Sequence, residues 1–205
     1  MGDLTKGDDG RRRCWWGAST SEYQAYHDGE WGRPVTDDRG IYERLVLEGF
    51  QSGLSWLTIL RKRENFRAAF ANFDIDTVAR YGARDVRRLL GDAGIVRHRG
   101  KIEAAIANAK AAAALDVPLA ELVWSHAPTG RQRAPRGLGD LPPITAESTA
   151  LSKELKRRGF RFVGPTTAYA AMQACGVVND HLAGCWVRAE VEQERRTAKE
   201  AVKVL

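Results

Sequence analysis

One acidic side chain, Glu48, lies inside the otherwise apolar segment LEGFQSGLSW, residues 47–56. Upstream of it, apolar residues recur three and four positions apart, and this spacing predicts a helix that packs into a core. The segment continues through a flexible Ser52-Gly53 pair to an aromatic residue, Trp56. A carboxylate enclosed by aromatic rings could bind a flat cationic ligand, because rings stack on planar groups and attract positive charge while the carboxylate accepts hydrogen bonds.

Aromatic residues also crowd the N-terminal segment, where the chain carries Trp15, Trp16, Tyr23, Tyr26 and Trp31. Rings at such a density could form the walls of the pocket that Glu48 suggests. Core packing is the ordinary role of any one of them, and it remains open for each.

Two cysteines and two histidines form a second candidate site. His181 and Cys185 lie four positions apart, so one helical face could present both side chains. Cys14 and His27 lie near the other end of the chain. Together the four would give zinc a closed tetrahedral shell of the structural type, which would join the N-terminal segment to the C-terminal one. The alternative is that both cysteines are small buried hydrophobes and that the histidines are incidental.

The segment GIVRHRGKI, residues 94–102, joins two predicted helices through a turn rich in glycine and positive charge. Its glycines let the backbone turn tightly and approach another surface. Exposed amides at the start of a helix form a cradle for anions, and Arg97, Arg99 and Lys101 add donors for phosphate oxygens. This pattern is typical of a segment that binds a DNA backbone without reading its sequence, although a basic helix connection without a ligand would look the same.

Composition limits the class of protein. The chain has 205 residues, of which 43% are hydrophobic and 28% charged, as in an ordinary soluble protein. No apolar run approaches the roughly 20 residues of a membrane span, and the N-terminus lacks the apolar core of a secretory signal, so we expect a cytoplasmic protein without a membrane partner. The net charge of +6 favours an anionic partner such as nucleic acid. Three cysteines are an odd number, which argues against a disulfide framework.

Helical patterns dominate the chain, and no alternating strand of convincing length is visible, so the sequence predicts an all-α fold. The predicted helices cover residues 41–50, 57–70, a short segment after Gly82, 101–115, 118–124, 149–158 and 166–174. Residues 128–143 are predicted as a surface loop, because they are rich in proline and glycine. We expect a disordered basic tail over residues 1–12, a folded domain over 13–187, and a charged C-terminal tail over 188–205 that is either a solvated helix or frayed.

Six motifs occur in order: AYHDGEWG (25–32), LEGFQSGLSW (47–56), LRKRENF (60–66), DAGIVRHRGKI (92–102), LSKELKRRGFRFVGPT (151–166) and MQACGVVNDHLAGC (172–185). Together they closely resemble the bacterial 3-methyladenine-DNA glycosylase I family. The resemblance implies a helix-hairpin-helix glycosylase fold and a DNA repair enzyme that flips N3-methyladenine out of double-stranded alkylated DNA. Hydrolytic excision would release 3-methyladenine and leave an abasic site. We expect a bacterial cytoplasmic monomer that associates with the nucleoid through DNA.

The resemblance also implies roles for individual residues. The zinc ligands, for one structural ion per chain, would be Cys14, His27, His181 and Cys185. Glu48 matches the acidic residue of the base pocket, Tyr26 and Trp56 match pocket aromatics, and Trp16 matches a further ring nearby. The DNA-binding residues would be Gly53 and Leu54, in the loop that enters the DNA, and Gly94, Val96, Arg97, Arg99, Gly100 and Lys101, in the hairpin. Phe50 departs from relatives that carry glutamine there, and we expect it to alter the shape of the pocket.

Methylation at N3 makes adenine cationic and a good leaving group, so strong general acid catalysis is unnecessary. We therefore expect Glu48 to select the lesion rather than donate a proton. Many helix-hairpin-helix glycosylases place a catalytic aspartate after the hairpin, but here the next acids, Glu103 and Asp116, are better explained as a helix residue and a cap. We expect a monofunctional hydrolase without a lyase step. The main alternative is a non-catalytic helix-hairpin-helix module that binds alkylated DNA.

Overall fold

Ten α-helices and one short β-hairpin make up most of the computed structural model, which describes residues 3–130 and 132–202. The strands are β1 (Leu4–Lys6) and β2 (Arg12–Cys14), and the helices are α1 (Ser21–Gly29), α2 (Asp38–Gln51), α3 (Trp56–Ala69), α4 (Ile75–Ala79), α5 (Ala83–Gly91), α6 (Arg99–Ala113), α7 (Leu119–Trp124), α8 (Ala146–Arg157), α9 (Pro165–Ala174) and α10 (Arg188–Val202). None of the helices in these two ranges is long and apolar enough to span a membrane.

Helix α2 is the centre of the core. It begins after Asp37, whose side chain accepts a hydrogen bond from the Gly40 amide and so caps the first turn. From Leu45 to Phe50 every residue is buried, because α2 is surrounded by α3, α6, α7 and α9. A buried acidic residue needs either a charged partner or an adjoining cavity: on α2, Glu43 pairs with Arg67, whereas Glu48 borders a cavity.

Helices α5 and α6 pack against each other across the turn formed by residues 92–98. The turn is held by its own polar groups: the Gly94 amide donates to Asp92 Oδ1 at 2.8 Å, and the Lys101 amide donates to His98 Nδ1 at 3.2 Å. His98 is thus the N-cap of α6. The two predicted helices and the short turn that joins them are present, and α6 starts two residues earlier than the sequence pattern indicated.

The N-terminal segment is ordered, and two predictions need correction here. Instead of the disordered tail expected over residues 1–12, β1 pairs with β2 in an antiparallel hairpin, and the fold is therefore not purely α-helical. The guanidinium of Arg13, buried at 1% exposure, binds the carboxylates of Asp9 and Asp28 and holds the hairpin against α1. Strands of three residues are too short to produce a recognisable alternation. Residues 1 and 2 of the expected tail lie outside the described residues.

The C-terminal charged segment, expected as a tail over residues 188–205, forms helix α10 up to Val202. Val191 and Val202 are buried in separate apolar clusters, so this helix belongs to the packed unit, while residues 203–205 lie outside the described ranges. Two helices went unpredicted. In α1 few residues are aliphatic, and α4 is only five residues long, so neither shows a clear apolar periodicity.

Candidate active site and metal centre

A cavity of about 310 Å³ opens between α1, α2, the start of α3 and α9. Its aromatic walls are Trp15, Trp16, Tyr23, Tyr26, Trp31 and Trp56, and its polar lining includes Ser19, Glu48, Gln51 and Gln173. Four residues were predicted to line the pocket together with Glu48. Three of them line the same cavity as Glu48: Trp16, Tyr26 and Trp56. Cavities of this size suit a small planar ligand.

The rings are arranged as walls that meet at angles. Tyr26 and Trp56 lie with their centroids 5.4 Å apart and their planes tilted by 42°, and Trp16 stands edge-on to Tyr23 at 5.6 Å. Tyr23 also accepts a hydrogen bond from the Leu57 amide at 3.1 Å, so one wall of the cavity caps the start of α3. Burial raises the pKa of Tyr26, and the nearby Glu48 raises it further, so its phenol is neutral at physiological pH.

Glu48 is 7% exposed, and no other residue in the described part of the chain donates a hydrogen bond to it. Burial raises the pKa of its carboxyl to about 8, against a smaller lowering by Arg44 one turn earlier on α2. Arg44 lies within 3.7 Å of Glu30 and 3.6 Å of Glu43, and these carboxylates offset much of its charge. Burial therefore disfavours the ionised form of this carboxyl, and a bound cation would favour it.

Phe50 does not reach the cavity, and the prediction that it shapes the pocket is wrong. It is 1% exposed and packs against Phe66 and Phe70, with ring centroids 4.7 Å and 6.0 Å away. Two residues along a helix turn the side chain through about 200°, so Phe50 faces away from Glu48. Gln51, three residues after Glu48, lies on the same helix face and lines the cavity. The i, i+3 spacing in LEGFQ was the signal that could have identified it.

The four predicted metal ligands converge, although 167 residues separate Cys14 from His181. Their ligand atoms lie within 4.8 Å of one another: Cys185 Sγ is 3.5 Å from His27 Nε2 and 3.7 Å from His181 Nδ1, and Cys14 Sγ is 3.9 Å from His181 Nδ1. A tetrahedral zinc ion with ordinary bond lengths would separate its sulfur and nitrogen ligands by roughly 3.6 Å. All four residues are buried, and the cluster therefore fits a closed metal site.

Hydrogen bonds around the cluster orient both histidines for metal binding. His27 Nδ1–H donates to Asp28 Oδ1 at 2.8 Å, which leaves Nε2 free for a metal, and His181 Nε2–H donates to the Trp31 carbonyl at 3.0 Å, which leaves Nδ1 free. Such outer contacts are typical of metal sites. Asp28 is itself held by Arg13, whose guanidinium lowers the pKa of that carboxyl.

The segment that carries His181 and Cys185 is a turn rather than the predicted helix. The Cys185 amide donates to the Leu182 carbonyl at 2.9 Å, and Gly184 has φ +90°, a conformation that side chains disfavour. The turn brings the two ligands together as a helical face would, and it also lets the Leu182 amide donate to Cys14 Sγ at 3.4 Å.

The predicted DNA-binding residues divide into an exposed group and a group that is partly buried. Arg97 and Arg99 are exposed at the α5–α6 turn, and Leu54 is 41% exposed beside Gly53, which has φ +80°. Arg99 also lies 3.2 Å from Glu103 on α6. Gly94 is closely approached by Asp92 and Asn65, Gly100 lies in the first turn of α6, and Val96 packs against the core.

The prediction that Lys101 binds DNA needs correction. Its side chain is buried, and its Nζ donates to the carbonyls of Phe50 at 2.9 Å and Ser52 at 2.5 Å, so it caps the end of α2 instead of facing a phosphate. Burial lowers the pKa of Lys101. This contact joins α6 to the loop that carries Gly53 and Leu54, which places that loop next to the α5–α6 turn.

Comparison with known proteins gives a consistent result. A family model described as methyladenine glycosylase matches residues 15–189. DNA-3-methyladenine glycosylase 1 of Escherichia coli (strain K12) is 51% identical over 179 residues, which cover 84% of this chain and 95% of that protein. A crystal structure of 3-methyladenine DNA glycosylase I superposes with a TM-score of 0.82 at 49% identity, over 85% of this chain and 98% of that one. The Staphylococcus aureus 3-methyladenine DNA glycosylase I, solved to show how 3-methyladenine is recognised, has a TM-score of 0.81 at 34% identity, over 86% and 96% of the two chains.

Proposed function

The chain belongs to the methyladenine glycosylase family, and we infer from this membership and from the aromatic cavity that it excises 3-methyladenine from DNA in base excision repair. The observation that carries the assignment is the position of Glu48, an acceptor without a partner among the described residues, in a cavity walled by Tyr26 and Trp56. A flat cation that carries an amino group complements both the rings and the carboxylate.

The reaction is hydrolysis of the N-glycosidic bond. Water adds to the sugar carbon and releases one proton to the solvent, the electron pair of the breaking bond moves onto the base, and the positive charge of the methylated ring is neutralised as it leaves. Extruding the nucleotide from the stack costs a few kcal/mol. Stacking on a ring such as Trp56 or Tyr26 contributes roughly 1–3 kcal/mol per base, which offsets much of that cost. These two rings therefore hold the lesion in place, and the methylated base itself supplies most of the reactivity.

Glu48 acts as the selecting group. It accepts hydrogen bonds from the exocyclic amine and the adjacent ring edge of adenine, where guanine would present a carbonyl. Because burial disfavours the ionised form of its carboxyl, a bound cation stabilises that form. An ion pair at ~4 Å contributes about 1 kcal/mol in water and about 4 kcal/mol at the effective dielectric of a protein surface site. The second figure would lower the pKa of Glu48 by about three units, which is enough to ionise the carboxyl at neutral pH.

The metal is proposed to be zinc, and its role is structural. Two thiolates and two imidazoles are the donor set that zinc prefers, and four protein ligands leave no open position for water. Cys14 and His27 come from the N-terminal segment, and His181 and Cys185 come from the turn before α10, so the ion would join the two ends of the chain.

DNA is proposed to lie across the α5–α6 turn, which acts as the helix-hairpin-helix element. Arg97, Arg99 and the amides at the start of α6 would bind phosphates, and Leu54 would fill the space left by the extruded nucleotide. All residues of this proposed site belong to one chain, so a monomer suffices. Because its relatives are bacterial DNA repair enzymes, the proposed site of action is the cytoplasm.

The direct test is release of free bases from methylated duplex DNA, resolved by chromatography, with unmethylated DNA as the control substrate. We expect 3-methyladenine to appear in the first reaction and no adenine in the second, since unmodified adenine keeps a strong glycosidic bond. Tight binding to alkylated DNA without any base release would indicate a damage-binding module and overturn the enzymatic assignment.

A further inference from the structure

Phe162, in the connection between α8 and α9, combines an exposed ring with an uncommon backbone conformation. Its side chain is 44% exposed, although it is a large aromatic residue. Its φ is +55°, in the left-handed region that non-glycine residues rarely adopt. Such a conformation is unfavourable and persists only where the surroundings enforce it, commonly at a functional position.

Buried side chains enforce this conformation from both sides. Asn108 on α6 binds both backbone groups of Arg161: the Arg161 amide donates to Asn108 Oδ1 at 2.7 Å, and Asn108 Nδ2 donates to the Arg161 carbonyl at 3.0 Å. On the other side, Ser152 Oγ donates to the Val163 carbonyl at 2.6 Å. Asn108 and Ser152 are almost fully buried. Two interior polar side chains therefore hold this short segment in place.

The position of the ring connects it with the proposed DNA surface. The ring lies edge-on to the imidazole of His98, the N-cap of α6, with centroids 6.5 Å apart. Its far edge is 3.9 Å from the point where a Cβ on Gly100 would lie. Lys101, the next residue, binds the Ser52 carbonyl directly before the Gly53–Leu54 loop. Phe162 therefore lies beside the α5–α6 turn, on the side where α6 is tied to that loop.

We propose that Phe162 is a further DNA-contacting residue, whose ring packs on a nucleotide adjacent to the phosphates bound by the α5–α6 turn. Arg161, exposed and directly before it, contacts a neighbouring phosphate. The backbone conformation turns the ring outward, and its apolar face gives a contact that does not depend on base identity. This inference rests on the proposed function, because it assumes that DNA binds across this turn.

The test uses two ring-less variants, Phe162→Gly and Phe162→Asn, since both residues tolerate φ near +55°. Phe162→Tyr keeps the ring, and Ile144→Asn removes an equally exposed apolar side chain, 45% exposed, from the loop before α8. The dissociation constant for a duplex with a stable abasic-site analogue is measured by fluorescence anisotropy over a range of salt concentrations. Tryptophan fluorescence reports binding of free 3-methyladenine, and thermal melting reports the fold.

We expect both ring-less variants to bind the duplex roughly 5- to 150-fold more weakly, the range of one aromatic–base contact. Their salt dependence should be unchanged, because an apolar contact releases no counterion, whereas Arg161→Ala should reduce the slope by about one. Phe162→Tyr and Ile144→Asn should bind like wild type. If thermal melting shows that Phe162→Asn is destabilised, the duplex affinity of Phe162→Gly is the test of the inference.

Wild-type duplex affinity in folded Phe162→Gly protein would overturn the inference. Failure of the proposed function gives a different result, because wild-type protein would then release no 3-methyladenine from methylated DNA and bind none of the free base. A defect in duplex binding together with normal binding of the free base supports Phe162 as a DNA contact outside the base pocket.

Discussion

Glu48 shows how one residue can combine an unfavourable environment with selectivity. A carboxyl that is buried without a hydrogen-bond partner among the described residues destabilises its charged form, and its pKa of about 8 expresses that cost. A neutral base brings no charge to offset this cost, whereas a methylated, cationic base does. The same burial that makes ionisation unfavourable in the empty pocket thus increases the difference in affinity between damaged and normal adenine.

Replacement of Glu48 by glutamine keeps the size of the side chain and removes its charge. We expect excision of 3-methyladenine to fall roughly 10- to 150-fold, because a hydrogen bond to a charged group is worth about 1.5–3 kcal/mol. Affinity for an abasic duplex should be retained, since Glu48 lies in the base cavity and not at the α5–α6 turn. Single-turnover base release measures the loss of excision, and duplex binding measures the retained affinity. Full excision activity in the variant would show that Glu48 does not select the lesion.

The raised pKa of Glu48 also predicts how stability depends on pH. The unfolded carboxyl ionises near its ordinary pKa of 4.5, but the folded one keeps its proton up to about pH 8, so the folded state binds more protons in this interval. Glu48 therefore lowers the free energy of unfolding progressively as the pH rises from 4.5 to 8. Relative to wild type, Glu48→Gln should gain stability across that interval and no further above it. Urea unfolding of both proteins in the absence of ligand, at pH 5 and pH 8, measures the difference; an equal difference at both values would contradict the shifted pKa.

At the scale of secondary-structure elements, two basic residues near the junction of α2 and α6 have different roles. Lys101 binds carbonyls at the end of α2 and so sets the loop that carries Leu54 beside the α5–α6 turn. Arg97, four residues earlier, extends into solvent. Sequence alone groups both residues as cations of one basic motif.

Lys101→Met and Arg97→Ala form a matched pair that tests this division. Lys101→Met should lower the free energy of unfolding by about 1–3 kcal/mol, because it leaves the buried Phe50 carbonyl without this donor. Arg97→Ala should leave stability unchanged and reduce the slope of duplex affinity against salt by about one. Urea unfolding and anisotropy titrations measure both effects. A Lys101→Met protein of normal stability with a reduced salt slope would instead place Lys101 on the DNA.

At the scale of the whole molecule, the metal cluster and the base cavity share their supports. Tyr26 and His27 are consecutive residues of α1, one facing the cavity and one the cluster. The Trp16 ring lies 5.1 Å from His27, and the Trp31 ring lies 4.7 Å from His181. A metal ion at the cluster would therefore stabilise the aromatic wall as well as the contact between the two ends of the chain.

Metal removal should unfold the N-terminal segment and weaken the pocket together. We expect zinc-free protein to melt at a lower temperature by circular dichroism and to lose affinity for free 3-methyladenine. Cys14→Ser should reproduce both effects, while Cys175→Ala, a buried cysteine outside the cluster, should retain one zinc per chain. A metal-free protein with normal melting and lost activity would favour a catalytic ion over a structural one.

The sequence by itself determined most of the helices and identified the four residues of the cysteine–histidine cluster. Helix α2 was predictable because its apolar spacing is a property of consecutive residues. The cysteine and histidine set was recognisable because zinc requires those side-chain types, although the convergence of residues as distant as Cys14 and His181 was only an expectation until the fold placed them within 3.9 Å.

Tertiary packing alone decided what each polar group faces. It buried Lys101 against α2, turned Phe50 into the core and Gln51 into the cavity, and raised the pKa of Glu48. It also ordered the N-terminal hairpin through the buried Arg13. Local patterns carry the periodicity of a helix, but burial, charge state and hydrogen-bond partners depend on groups from distant parts of the chain, and these meet only when the core has formed.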